Sequence, residues 1–297
     1  MRVPMFMSVA LAIFATAARA DGTPQWSAQT SPIKPGPSGW HFKFTPYAWL
    51  PWINGDATVK GRDFTINQNP GQVLSSLDFA WMSYQEARRG AITLFSDVMF
   101  TKNSDSDSFA RSHQFSAHVE GSVGAALSAD YKQWIVEFGG MYETNRWRMG
   151  PGPGEADTTL DLLVGGRYWH QELDVDLSLD GTLDIRNLVI ERGIALARSG
   201  GVDWVDPFLG ARMVYQHSPT DSFVFRGDIG GFSVGSKMTW QAIATYNFYL
   251  GSHAAIDFDG YLGYRALSVN YVQGSGIDRY EFDVVQQGPV VGITGKF

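Results

Sequence analysis

Ten ionisable residues recur on the polar side of period-two segments, opposite the apolar side chains: Glu86, Asp97, Glu137, Arg167, Asp206, Arg212, Arg226, Asp228, Asp257 and Arg265. They come from many segments and carry both signs. Three chemistries are open to such a set. Arginines and carboxylates gathered away from water form bidentate, charge-assisted pairs that brace an interior. The same groups set around open space make a narrow charge-lined channel for small solutes. A catalytic cluster, as in a lipid- or peptide-hydrolysing enzyme, is the third.

Nucleophilic chemistry finds little support. Of the six histidines, His41, His217 and His253 fall beside the chain entry or short turns. Only His113 and His118 fall near predicted outer loops, close to Ser112 and Ser116. A Ser–His pairing in a polar loop is a weak signal for a hydrolase, and no Gly-x-Ser-x-Gly elbow is read in the chain to strengthen it. The glycine-rich run from Gly227 to Gly235 lacks the Lys-Ser/Thr and the helix of a phosphate loop. Asp105 and Asp107 lack the fixed spacing of a calcium loop. The expectation is therefore no catalytic residue, no metal and no cofactor, with a hydrolase dependent on His118 as an alternative.

The elements that would position the charges are strands. Trp240, Ala242, Ala244, Tyr246, Phe248 and Leu250 fall on one face, and Gln241, Thr245 and Asn247 on the other. Ile256, Phe258, Leu262 and Tyr264 oppose Asp257, Asp259 and Arg265, and Trp134, Val136, Phe138 and Tyr142 oppose Gln133 and Glu137. Such alternation defines a strand with one apolar and one polar side. Ten segments of this kind are predicted: 40–52, 79–88, 91–101, a long one ending near Trp147, 159–179, 204–217, 223–232, 238–250, 254–271 and 279–297. The stretch from Ile53 to Leu77 is open. Ala57 to Ile66 could add two short strands, making twelve, and 72–77 could be a short helix.

The connections alternate between short turns and longer loops, as in an up-and-down transmembrane barrel. The final segment supports this. Pro289, Val291, Ile293, Gly295 and Phe297 make an apolar or small set running to the last residue. Ile293 and Phe297 are read as a barrel-closure signal, presented by the C-terminal strand to the barrel-insertion machinery. In a lumen bounded by about ten strands the inward charges would meet across the barrel.

The N-terminus, Met1 to Ala20, has Arg2, an apolar run from Val9 to Ala15 and Ala18-Arg19-Ala20 as a cleavage site. These are the parts of a secretory signal peptide. Its removal takes the net charge from −7 to −9. An acidic chain with no basic stripe argues against nucleic acid as a partner. There is no cysteine, so an exported chain would draw its stability from a source other than disulfides. The 33 glycines suit barrel bends, and 41 aromatics (19 Phe, 12 Tyr, 10 Trp) suit girdles at the membrane interfaces. The expected domains are a signal peptide (1–20), a flexible Pro/Ser/Gly-rich leader (21–39) and one barrel domain (40–297).

Several segments carry a resemblance: Thr45-Pro46-Tyr47-Ala48-Trp49-Leu50, Glu86-Ala87-Arg88-Arg89-Gly90 with Asp97 after it, and Trp204-Val205-Asp206-Pro207. Arg226-Gly227-Asp228-Ile229-Gly230-Gly231-Phe232, Trp240-Gln241-Ala242 and Gly263-Tyr264-Arg265-Ala266-Leu267 belong with them. In these motifs the chain resembles a family of uncharacterised outer-membrane β-barrel proteins of proteobacteria. The resemblance covers most of residues 40–297, less clearly about 105–200. It implies a membrane-embedded barrel with no assigned chemistry. No match is seen to the outer-membrane protease, phospholipase or lipid A deacylase patterns.

The sequence thus predicts an all-β chain: a monomeric, antiparallel transmembrane barrel of the Gram-negative outer membrane. Its outside would meet outer-membrane lipid, and its lumen would be largely filled by ion-paired side chains. The expected role is structural or interactive within the envelope, with a small-solute channel and a hydrolase as the alternatives.

Overall fold

The computed structural model describes residues 39–59, 62–105, 124–148, 157–180 and 200–297. The expected signal peptide, nearly all of the leader, and His113 and His118 lie outside the described residues. The elements, in order, are β1 (His41–Trp49), β2 (Trp52–Val59), β3 (Arg62–Gln68), α1 (Pro70–Ser76), β4 (Leu77–Arg89), β5 (Ile92–Asp105) and β6 (Gly124–Arg148). They continue as β7 (Asp157–Asp180), β8 (Gly200–Gln216), β9 (Asp221–Gly230), β10 (Met238–His253), β11 (Ile256–Gln273) and β12 (Tyr280–Lys296). No helix among the described residues is long and apolar enough to cross a membrane.

Ten of the strands, β1 and β4 to β12, form an antiparallel wall, and β1 pairs with β12 to close it. Closure removes the free edges that an open sheet would present. The last residue takes part directly. Phe42 N–H donates to the Phe297 carbonyl at 3.2 Å, and Phe297 N–H donates back at 2.9 Å. Pro46 has no N–H to offer, and the β1–β12 register skips Thr45 and Pro46. At that gap the hydroxyls of Thr45 and Thr294 bond to each other at 2.8 Å.

The ten predicted strands form the wall, and the two short strands left open between Ile53 and Leu77 also exist, standing outside it. The chain breaks at Leu50-Pro51, where Leu50 N–H reaches the Pro289 carbonyl at 3.1 Å. β2 then continues along β12 past the end of β1, from Gln287 to Glu281, and β3 pairs with β2. The hairpin therefore extends one side of the wall. The short helix is also present, beginning two residues earlier than expected. Pro70 fills its first turn, and Asn69 and Gln72 cap each other reciprocally at 3.0 and 2.9 Å. β9 stops at Gly230 rather than Phe232, because Gly231, Phe232 and Ser233 all take left-handed φ values.

Two ends of the barrel differ. At one lie both barrel termini, the short turns Gly90-Ala91, 217–220 and Ala254-Ala255, and the β6–β7 connection; at the other lie the β2–β3 hairpin and the β5–β6, β7–β8, β9–β10 and β11–β12 connections. Around the outside, Phe138, Tyr142, Leu162, Val164, Leu209, Ile229, Leu262, Val291 and Ile293 are exposed and apolar. Strands presenting such a belt, with polar groups inward, are the spanning solution available to β-structure in lipid. Removing 294–297 deletes the Phe42–Phe297 and Thr45–Thr294 bonds and leaves only the β1–β12 pairing of Tyr47–Trp49 with Val290–Gly292 to close the wall. The truncated chain should lose the compact, fast-migrating form that a folded barrel shows on unheated SDS electrophoresis, while the full chain keeps it.

Candidate functional site

The alternation that turns the belt outward turns the charged residues inward, and the closed wall brings strands distant in sequence face to face. Glu137 on β6 is fully buried and lies at the centre. Its Oε1 accepts from Arg167 Nε at 2.9 Å and from Arg265 Nη2 at 3.3 Å. Its Oε2 accepts from Arg226 Nη2 at 2.7 Å and from Gln241 Nε2 at 3.3 Å. Asp228 on β9 closes the ring, accepting from Arg167 Nη2 at 2.7 Å, Arg226 Nη2 at 3.2 Å and Gln241 Nε2 at 3.2 Å. Asp97 on β5 accepts from Arg265 Nη1 at 2.9 Å and from the Tyr47 hydroxyl at 2.7 Å.

A second group adjoins the first. Arg212 on β8 bonds Asp161 at 2.8 and 2.7 Å through Nε and Nη2, and it also pairs with Glu86. Glu86 accepts from the Tyr84 hydroxyl at 2.7 Å and meets Lys43 at 3.2 Å. Glu143 binds two arginines, Arg88 and Arg146. Three guanidiniums also lie over rings: Arg167 over Phe208 (5.0 Å), Arg226 over Phe95 (4.9 Å) and Arg265 over Trp49 (5.0 Å). Arg226 Nε and Arg265 Nε have no acceptor, and the ring faces beside them are the compensating partners. Gly139 and Gly165 give the rings room, since a Cβ at either would sit 3.0 Å from Phe95 or 2.7 Å from Phe208.

Eight of the ten residues singled out from sequence therefore meet in the lumen: Glu86, Asp97, Glu137, Arg167, Arg212, Arg226, Asp228 and Arg265. Two do not join them. Asp257 is exposed beside the short Ala254-Ala255 turn and accepts from Ser252 Oγ at 2.5 Å. Its parity is inward, but it lies past the end of the enclosed lumen, so the expectation that it lines the network is corrected. Asp206 is fully buried but meets no arginine among the described residues. It accepts from Ser236 N–H at 2.5 Å, Ser236 Oγ at 2.8 Å and Trp204 Nε1 at 3.1 Å. It thereby ties the 231–237 connection down over the long-loop end.

Sequence reasoning passed over Asp161, Glu143, Tyr47, Tyr84, Gln241, Lys43, Arg88 and Arg146. Asp161 shares the parity of Arg167, and that signal could have found it. Glu143 likewise shares the parity of Glu137; the register shift that breaks the alternation comes only after it, between Glu143 and Asn145. The aromatics were assigned to outer girdles, yet Trp49, Trp169, Trp204, Tyr271 and Phe282 are buried inside. Trp169 stacks on Trp204 at 5.4 Å, and Trp204 on Tyr271 at 4.0 Å. They fill the lumen on the long-loop side of the ion pairs.

The reading that the chain has no Gly-x-Ser-x-Gly sequence is corrected, since Gly231-Phe232-Ser233-Val234-Gly235 has the spacing of a nucleophile elbow. It forms a tight turn between β9 and β10, closed by Val234 N–H on the Gly231 carbonyl at 2.8 Å. No helix follows it, and no His bonds Ser233 among the described residues, so it lacks the context of that motif. Among the described residues no cluster of His, Cys and carboxylates is arranged to hold a metal.

On the short-turn side of the network the lumen opens into a cavity of about 520 Å³. Glu86, Asp97, Arg212, Arg226 and Arg265 line its deep end, and Lys43, Asn247, Gln216 and Lys296 lie toward the terminal rim.

The fold and this site define an all-β, antiparallel closed barrel of the transmembrane type, its interior crossed by ion pairs and stacked aromatic side chains. No protein-family profile matches the chain, and no curated protein matches it. Three solved structures are similar in part. Ail, the attachment invasion locus protein of Yersinia pestis, crystallised with the heparin analogue sucrose octasulfate, is 10% identical over 88% of this chain and 99% of its own, with a TM-score of 0.32. A FadL homologue of Pseudomonas aeruginosa is 8% identical over 87% of this chain and 89% of its own, and the CymD monoaromatic hydrocarbon channel is 9% identical over 87% and 88%. Both have TM-scores of 0.20.

Glu137→Ala would leave Arg167, Arg226 and Arg265 each short of an acceptor in a dry interior. Breaking a buried pair costs about 3–5 kcal/mol, so the unfolding midpoint of the refolded barrel should fall well below that of the wild type. Asp257→Asn, exposed at its turn, should move it by no more than about 0.5 kcal/mol.

Proposed function

We propose that the chain is an integral outer-membrane β-barrel whose lumen is shut by its own ion-paired layer, and that its role in the envelope is structural or interactive rather than conductive. One observation carries this reading. Glu137 and Arg167 have no solvent exposure, and with Arg226, Arg265, Asp97 and Asp228 they link β5, β6, β7, β9 and β11 across the lumen. No water path is left where those side chains meet. In the proposed orientation the short turns and both barrel termini face the periplasm, as is usual for such barrels. The apolar belt meets outer-membrane lipid as a monomer. The C-terminal strand, ending in Ile293 and Phe297, is the part offered to the insertion machinery. The proposal includes no turnover and no cofactor.

The test is single-channel recording of the refolded mature chain in a planar bilayer. The wild type should give no stable discrete openings. The triple variant Glu137→Ala, Arg226→Ala, Arg265→Ala removes the core of the barrier, and wherever it still inserts as a folded barrel it should conduct. Discrete openings by the wild type would overturn the shut-lumen reading in favour of a narrow, charge-lined channel.

A further inference from the structure

The cavity on the short-turn side of the ion-paired layer has a lining richer in cations than in carboxylates. The chain is acidic, with a net charge of −7. Yet seven lysine or arginine side chains line this cavity against four carboxylates. The reason lies in how the pairs are stacked. Glu137, Glu143 and Asp161 are each no more than 2% exposed and sit behind the cavity surface, so that the cations they bind are the groups facing the open space. The carboxylates are also shared. Arg88 and Arg146 converge on Glu143, and Lys43 adds a second cation to the Glu86 that already binds Arg212.

The outer cations keep donors to spare. The side chains of Lys43, Arg146 and Lys296 are 45%, 41% and 41% exposed, and that of Arg88 is 29% exposed. An ammonium carries three donors and a guanidinium five. The bonds to Glu86, Glu143 and Asp259 therefore do not exhaust them. Thr45, Thr159, Thr245 and Asn247 add neutral hydrogen-bonding groups to the walls. A volume of about 520 Å³ falls in the range of small-molecule pockets, about 300–1,000 Å³. The barrel wall separates the space from the bilayer, so an occupant arrives along the lumen from the terminal end.

We propose that this blind vestibule is a binding site for a small organic anion, a carboxylate or phosphate compound taken from the side on which the barrel termini lie. Lys43, Arg88, Arg146 and Lys296 would receive it at the mouth, with Arg212 and Arg226 deeper in. The proposal builds on the shut-lumen reading in one respect, that the vestibule is a dead end and holds its ligand rather than passing it.

The experiment uses the refolded mature barrel in an uncharged detergent at low salt. Citrate, inorganic phosphate and a short-chain phosphatidylglycerol are titrated in separate calorimetric runs. Saturable binding of citrate or phosphate is expected, and Lys43→Gln with Arg146→Gln should weaken it at least tenfold. That double variant leaves Glu86 with Arg212 and Glu143 with Arg88, so the barrel should still fold, as heat-modifiable migration would show. Arg279→Gln, an exposed cation at the opposite end, should leave binding unchanged. A wild type that is folded but binds neither citrate nor phosphate overturns the proposal, whatever the variants do. Stronger binding of the phosphatidylglycerol overturns it in favour of a lipid headgroup site at the rim. Bilayer recording of the same preparation separates the two readings: a silent barrel without binding removes the anion site alone, and a conducting one removes the shut lumen.

Discussion

An ionised side chain taken out of water costs several kcal/mol unless a partner of opposite sign and further hydrogen bonds replace the lost hydration. The barrel turns at least seven carboxylates and four arginines into a space with little water, so its interior is governed by how that cost is met. Glu137 shows the solution. Each oxygen of one fully buried carboxylate accepts two bonds, and the three arginines that supply most of them come from β7, β9 and β11. No pair is isolated. Each arginine spans two carboxylates or a carboxylate and a ring face, and Gln241 and Tyr47 occupy the lone pairs that the cations leave open.

That arrangement asks for a closed, accurately registered wall. A slip of one residue in any strand would exchange its inward and outward faces, sending an arginine into lipid and a leucine into the network. The wall supplies accuracy through long ladders, above all β6 with β7 and β11 with β12. The β1–β12 seam is where it is most demanding. Pro46 interrupts the ladder there, and a threonine–threonine hydrogen bond and the terminal Phe42–Phe297 exchange hold the two sides together. The inward glycines serve the same end, since the rings over which Arg167 and Arg226 lie occupy the volume that side chains at 139 and 165 would need.

The two halves of the lumen follow from the same accounting. On the long-loop side, stacked tryptophans and tyrosines exclude water, and Asp206 uses its capacity to hold the 231–237 connection in place. On the short-turn side the wall residues are polar, cations share carboxylates, and an open cavity remains. The barrel is thus asymmetric along its axis, packed with aromatic side chains on one side and open as a polar cavity on the other, with the charged layer at the boundary. That asymmetry concerns function more than the strand count does, because it decides from which side anything could reach the charges.

The sequence by itself determined the strands, their inward and outward faces and the class of architecture, because a period of two and the lengths of connections are local properties. It also placed eight charges in one lumen, since parity carries from strand to strand once closure is assumed. Parity says nothing about depth. Asp257 has the right face and the wrong height, and Asp206 has the right face and height but a loop serine and an indole for partners. Glu143 has the parity of Glu137, and counting along β6 would have found it, as it would have found Asp161 on β7. The division of the aromatics between girdle and interior was invisible, since both environments favour the same residue types. Which cation meets which carboxylate, and which side of the layer stays open, was decided only by the closed tertiary structure, where residues more than a hundred positions apart, such as Arg265 and Glu137, share one desolvated space.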